Sequence, residues 1–128
     1  DSLDLAEALQ RRLEGGERRL GVLVQVKLTG RQTQSGLGPD AAAAFLERLR
    51  GFPHLRAAGL MGIAPQETDP EAARPAFRRL KQLFDALFPG PASRSEGPWL
   101  SMGMSGDCEV AVEEGATLVR IGTALFKA

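Results

Sequence analysis

WLSMGMSGDCEVAVEEGATLVRIGTALF, residues 99–126, decides how the chain is read. A short apolar run, Trp99 to Met104, turns through Ser105-Gly106 into a helically spaced stretch, Asp107 to Glu114. Gly115 closes that stretch, and a β-rich run follows from Leu118 to about Leu125. Strand, helix and strand in this order make a βαβ unit, with parallel strands and a right-handed crossover. Arg120 is the anomaly, because a buried guanidinium is costly unless an anion or acceptors meet it. Alternation places Leu118, Arg120 and Gly122 on one face and Val119 and Ile121 on the other. Arg120 is read as lying toward the C-terminal end of its strand, where α/β folds put their ligands.

The same alternation runs upstream. Ser2 is a helix cap, and Leu5, Ala6, Leu9 and Leu13 form one face through about Glu14, before Gly15-Gly16. Leu20 to Leu28 reads as a largely buried strand and Thr29 to Pro39 as a loop. A second helix spans about Pro39 to Arg50, ended by Gly51 and Pro53. Leu55 to Ala64 is a glycine-containing second strand. Asp69-Pro70-Glu71 is a helix start, and the face Ala73, Phe77, Leu80, Phe84, Leu87 runs to Pro89. Pro75 marks either a kink in that helix or its true beginning. Residues 89–98 read as a loop. The resulting αβαβαβαβ order fits an open doubly wound sheet or part of a (β/α)8 barrel.

Composition narrows the function classes. The chain has 128 residues, 43% hydrophobic and 25% charged, as in a globular domain with a real core. Lys+Arg and Asp+Glu are both 16, so no basic excess points to nucleic acid. No apolar run approaches a membrane span of about 18 residues. The single cysteine, Cys108, fits a reducing cytoplasm, and one His with one Cys argues against the usual zinc sites. The chain begins at Asp1 without a methionine, as a processed or partial chain would.

Two βα turns carry the chemistry. Met104-Ser105-Gly106 leads into a helix N-terminus, where free N–H groups favour phosphate. Gly122 lets a ligand approach the backbone, and Thr123 adds a hydroxyl. Simpler roles stand beside these: Ser105 as an N-cap, Arg120 paired with a structural carboxylate, and Asp107 and Glu109 favouring the helix dipole. Cys108 reads as a small packed residue, His54 as a surface residue, and Met61, Met102 and Met104 as core.

The pattern S-M-G-M-S-x-D-x-E…G-x-T-x-V-R-I-G-T-x-x-F resembles the C-terminal signature of the pyridoxal phosphate homeostasis protein family. LRAAGLMGIAP (55–65) is similar to that family's sixth-strand motif and LVQVKLTGRQTQSGL (23–37) to its fifth-strand region. The resemblance implies a parallel (β/α) barrel of the alanine racemase N-terminal type, binding pyridoxal 5′-phosphate (PLP). Residues 1–128 would be the C-terminal half of one PLP-binding domain, about half a (β/α)8 barrel with four βα units. Carried over by motif, Ser105 and the backbone near Gly106 hold the phosphate with Gly122 and Thr123, Met104 joins the cofactor site, and Arg120 approaches the pyridine nitrogen. The implied role is intracellular vitamin B6 and amino-acid homeostasis without enzymatic turnover. An alanine-racemase-like enzyme and a generic phosphate-binding module are the alternatives.

Departures accompany the resemblance. The family's Schiff-base lysine lies on the first strand, in the half not matched, and Lys27, Lys81 and Lys127 do not correspond to it. Gln34-Ser35-Gly36 stands where Lys-Ser-Gly is common, and Lys127-Ala128 replaces the usual Phe-Gly ending. Half a barrel would leave its inner face and two sheet edges open. The expected partners are therefore PLP and either a missing N-terminal half or a second copy, with neither nucleic acid nor membrane.

Overall fold

The computed structural model describes residues 1–91 and 95–127. Residues 92–94, in the loop expected over 89–98, lie outside the described residues. The elements run α1 Leu3–Leu13, β1 Leu20–Lys27, α2 Pro39–Leu49, β2 Leu55–Ile63, a 3-10 turn Pro70–Ala73, α3 Arg74–Leu87, β3 Trp99–Met104, α4 Cys108–Glu113, β4 Leu118–Arg120 and α5 Thr123–Phe126. All pairings are parallel, in the order β1-β2-β3-β4. The alternating α/β architecture is the one the sequence implies.

Register explains where the core sits. Val24 pairs with Leu60 and Leu60 with Leu100, one row across three strands. All three are buried, in one cluster with Leu46 and Leu49 of α2, Phe77 and Leu80 of α3, and Val110 and Ala111 of α4. This is the helix-covered face. The next row, Gln25, Met61, Ser101 and Leu118, points the other way and forms the inner face. Gly59 is required where β2 meets β3: its φ is +139°, and a Cβ would fall 1.8 Å from the Trp99 carbonyl oxygen.

Local signals account for most boundaries. Ser2 Oγ accepts from the Leu5 N–H at 3.2 Å, the expected cap. Asp69 Oδ1 accepts from the Glu71 N–H at 3.0 Å, but the element it starts is the 3-10 turn. Pro75 lies in the first turn of α3, so it marks the true beginning and not a kink.

Two expectations need correction. The fourth strand does not continue to Leu125; it ends at Arg120. Gly122 turns the chain, its carbonyl accepts from the Leu125 and Phe126 N–H groups, and α5 begins. Leu125 and Phe126 are 70% and 87% exposed, so their apolar character reflects no packing within this sheet. His54 is not a free surface residue. It is half-buried, its N–H donates to Gln10 Oε1 at 3.0 Å, Gln10 Nε2 donates to its Nδ1 at 2.7 Å, and its Nε2 meets the Gly16 carbonyl at 3.2 Å. This polar knot ties α1 to the start of β2.

Candidate functional site

The six residues singled out by sequence, Met104, Ser105, Gly106, Arg120, Gly122 and Thr123, all line one cleft at the C-terminal ends of the strands. Its volume is about 640 Å³, and the segment after β2, including Pro65, Gln66, Glu67 and Asp69, forms the facing wall.

The first wall is the turn from β3 into α4. The Asp107 N–H donates to the Met104 carbonyl at 3.1 Å, and Asp107 Oδ1 accepts from the Met104 N–H at 2.7 Å. The carboxylate thus closes the turn and makes no capping bond to α4, while its place at the N-cap keeps its negative charge at the positive end of the helix dipole, as expected. Ser105 is not the N-cap either, since Asp107 holds that position. Its Oγ reaches across to the next turn and accepts from the N–H groups of Gly122 (3.3 Å) and Ala124 (3.2 Å). With both lone pairs engaged, its proton is the group left to offer an incoming acceptor. A Cβ built at Gly106 or Gly122 would meet nothing within 4 Å, so ligand atoms have room beside both backbones.

The second wall is Arg120. It makes no ion pair among the described residues, contrary to the structural-carboxylate reading. Its Nη2 donates to the Gly62 carbonyl at 2.9 Å, and its Nε is buried with no partner among the described residues. Burial draws the guanidinium below the ordinary arginine range, and the Asp107 carboxylate partly restores it. A buried donor without an acceptor is unusual in a native interior and marks a place where one is due.

Sequence reasoning missed two supports. Gln34 Oε1 accepts from Thr29 N–H (3.1 Å) and Oγ (2.8 Å), while Nε2 donates to the Ile63 carbonyl at 2.8 Å. The adjacent carbonyls Gly62 and Ile63, at the end of β2, are thus held from opposite flanks by Arg120 and Gln34. Behind α4, Arg74 bonds Glu71 (2.7 Å), Glu113 (2.6 Å) and Glu114 (3.0 Å), and Arg78 bonds Glu114 at 2.8 Å. These bonds hold the Glu71 and Glu114 carboxyls below the usual range and raise both arginines. The cluster locks α4, and with it the Ser105 turn, onto α3. Apart from the local i,i+3 pair of Glu71 with Arg74, no local signal shows these pairs, which join residues up to 40 positions apart. Cys108 is half-buried, and Met102, unlike Met61 and Met104, is fully in the core.

Residues 1–128 match the family model described as alanine racemase, N-terminal domain. A pyridoxal phosphate homeostasis protein of Aquifex aeolicus is 41% identical over 129 residues, covering 98% of this chain and 54% of that protein. One from Pseudomonas aeruginosa is 41% identical over 128 residues, covering 100% and 53%. The structure of PipY from Synechococcus elongatus with PLP bound superposes with a TM-score of 0.78 at 34% identity, covering 98% of this chain and 57% of that one. The chain spans about half the length of the relatives it matches.

Proposed function

The chain belongs to the alanine racemase N-terminal domain family, and from that premise we propose that it supplies the phosphate- and ring-binding half of a PLP-binding protein serving intracellular vitamin B6 and amino-acid homeostasis. The observation that carries the reading is Arg120, which pairs with no carboxylate among the described residues, lining the same cleft as Ser105 and two open glycine backbones. The relatives, named as pyridoxal phosphate homeostasis proteins, and the PLP-bound PipY structure support the choice of ligand.

When bound, PLP supplies a pyridine ring that can accept electrons. Ser105, Gly106, Gly122 and Thr123 would hold its phosphate, Met104 would pack beside it, and Arg120 would face the ring nitrogen. A permanent cation there opposes protonation of that nitrogen, because a second positive charge alongside is costly. The ring is then a weaker electron sink than one facing a carboxylate, which suits carriage and buffering of the cofactor over turnover. The chain contains no tyrosine, so it offers no tyrosine base opposite a lysine for racemisation.

The reading extends to partners. Leu20 and Leu118, on the two edge strands, are 40% and 38% exposed, and an apolar recess lies beside β1 among Leu5, Leu9, Leu23 and Phe45. Further βα units continuing the sheet from both edges, supplied by the unmatched half of the barrel or by a second copy, would cover these surfaces. Among the described residues no helix is long and apolar enough to cross a membrane. A reducing cytoplasm is the proposed setting.

An absorbance titration with PLP, then borohydride reduction and mass mapping, tests the proposal. Saturable binding is expected, lost in Arg120→Ala or Ser105→Ala, with no lysine specifically labelled. Labelling of one particular lysine, or binding indifferent to both substitutions, would overturn it. A monodisperse, stable monomer of this chain alone in sedimentation would overturn the partner reading.

A further inference from the structure

A second recess, of about 290 Å³, lies at the opposite end of the strands, between the C-terminal ends of α2 and α3. Its floor is Leu46, Leu49 and Leu55, all buried, with Leu87 and Phe88 half-buried beside them. Its rim carries three exposed arginines, Arg19, Arg50 and Arg56.

The three cations differ in what they meet. Arg50 pairs with Glu47 at 2.7 Å. Arg19 donates Nε to the Pro53 carbonyl at 3.1 Å, and Arg56 donates Nη1 to the Glu96 carbonyl at 2.8 Å. Neither comes within ion-pair distance of a carboxylate among the described residues. Arg74 and Arg78, by contrast, are neutralised by three glutamates. A bond to a carbonyl fixes a guanidinium without cancelling its charge.

A bland account is that these arginines answer the helix dipoles. The C-termini of α2 and α3 bring about half a negative charge each. Against three guanidinium groups and the Glu47 carboxylate, that still leaves a positive balance of roughly one charge. An apolar floor under two anchored, uncancelled guanidinium groups is complementary to a molecule with a hydrocarbon body and an anionic end.

We infer that this recess binds a small amphipathic carboxylate, its hydrocarbon body on the leucine and phenylalanine floor and its carboxylate on Arg19 and Arg56. Guanidinium forks match carboxylate geometry, and Lys would not reproduce the match. The volume lies just below the about 300–1,000 Å³ usual for ligand pockets, which restricts the occupant to a small molecule. No residue is shared with the upper cleft, so the inference stands apart from the PLP reading.

Titration of the intact protein with octanoate, followed by amide NMR shifts, tests it. Saturable shifts are expected at the start of β2 and the end of α3. Octanamide, equal in length and uncharged, should bind at least tenfold more weakly. R19Q/R56Q should weaken octanoate at least tenfold and leave PLP affinity unchanged. Absence of saturable binding, equal binding of the amide, or shifts confined to the upper cleft would overturn the inference. The comparison of octanoate with octanamide needs no variant and decides the matter even if the double substitution fails to fold.

Discussion

Arg120→Met is expected to separate stability from ligand binding. In the free protein the arginine has one favourable contact and one unfavourable one. Its Nη2 bond to the Gly62 carbonyl, a bond from a charged donor, contributes about 1.5–3 kcal/mol. Its buried Nε without an acceptor costs about 1–3 kcal/mol. Met removes both and keeps an apolar stem of similar reach, so the two largely cancel and the net change in folding free energy is about 2 kcal/mol or less in either direction. That corresponds to a melting shift of at most about 8 °C for a chain of this size. The PLP complex loses a charge-assisted bond to the ring nitrogen, about 1.5–3 kcal/mol, and its affinity should fall by about 10- to 150-fold. Thermal melts with and without PLP, beside absorbance titrations, read both quantities. A melting point lowered by more than about 10 °C with PLP affinity intact would refute the reasoning, because Arg120 would then be a structural residue.

Three further outcomes follow from the same geometry. Glu114→Gln should flatten the acid limb of the stability curve. The Glu114 carboxyl titrates below its ordinary 4.5 when folded, so its contribution is present above that value and lost as pH falls through the depressed one; denaturant melts across pH 2–6 check this, and an unchanged acid limb counts against it. Gln34→Lys keeps a donor for the Ile63 carbonyl but deprives the Thr29 N–H and hydroxyl of their acceptor, for a loss of about 1–3 kcal/mol. Faster hydrogen exchange at the Thr29 amide is the expected signature. Gly59→Ala sets a methyl against the Trp99 backbone at a positive φ and should abolish soluble expression or cost more than about 4 kcal/mol in a melt.

Local sequence carried the elements whose causes are local. The Ser2 cap, the helix faces and the first three apolar strands were legible, and alternation put Arg120 on the same face as Leu118, but the end of the fourth strand at Arg120 was not. What escaped depends on partners far along the chain. Leu125 and Phe126 look like strand residues because apolar character was read without knowing that Gly122 turns the backbone and Ser105, 17 positions earlier, holds the turn. His54 looked exposed because its partner, Gln10, is 44 positions away. The cluster of Arg74 with Glu113 and Glu114, and the Gln34 bridge to β2, are invisible for the same reason. The two turns of the cleft, at Ser105-Gly106 and Gly122-Thr123, were legible as strand-to-helix turns, whereas the wall from Pro65 to Pro70 was not, because nothing local brings that segment to them.

The two faces of the sheet differ in how completely their polar groups are met. On the helix side the rows are apolar and closed. Among the described residues, the buried side-chain polar atoms without partners are Ser101 Oγ and Arg120 Nε. Ser101 lies between Met61 and Leu118 in the inner row, and Arg120 is two positions beyond Leu118 on the same side. Orphaned buried donors are costly, so a folded sequence retains them where something else completes the bond. Both residues lie on the inner side of the sheet, toward which further strands and PLP are proposed to come, although the two atoms are already covered by the chain itself. That argues against misplaced polarity in a finished core: the helix-covered face stabilises this sheet, and the inner face is where its remaining interactions are made.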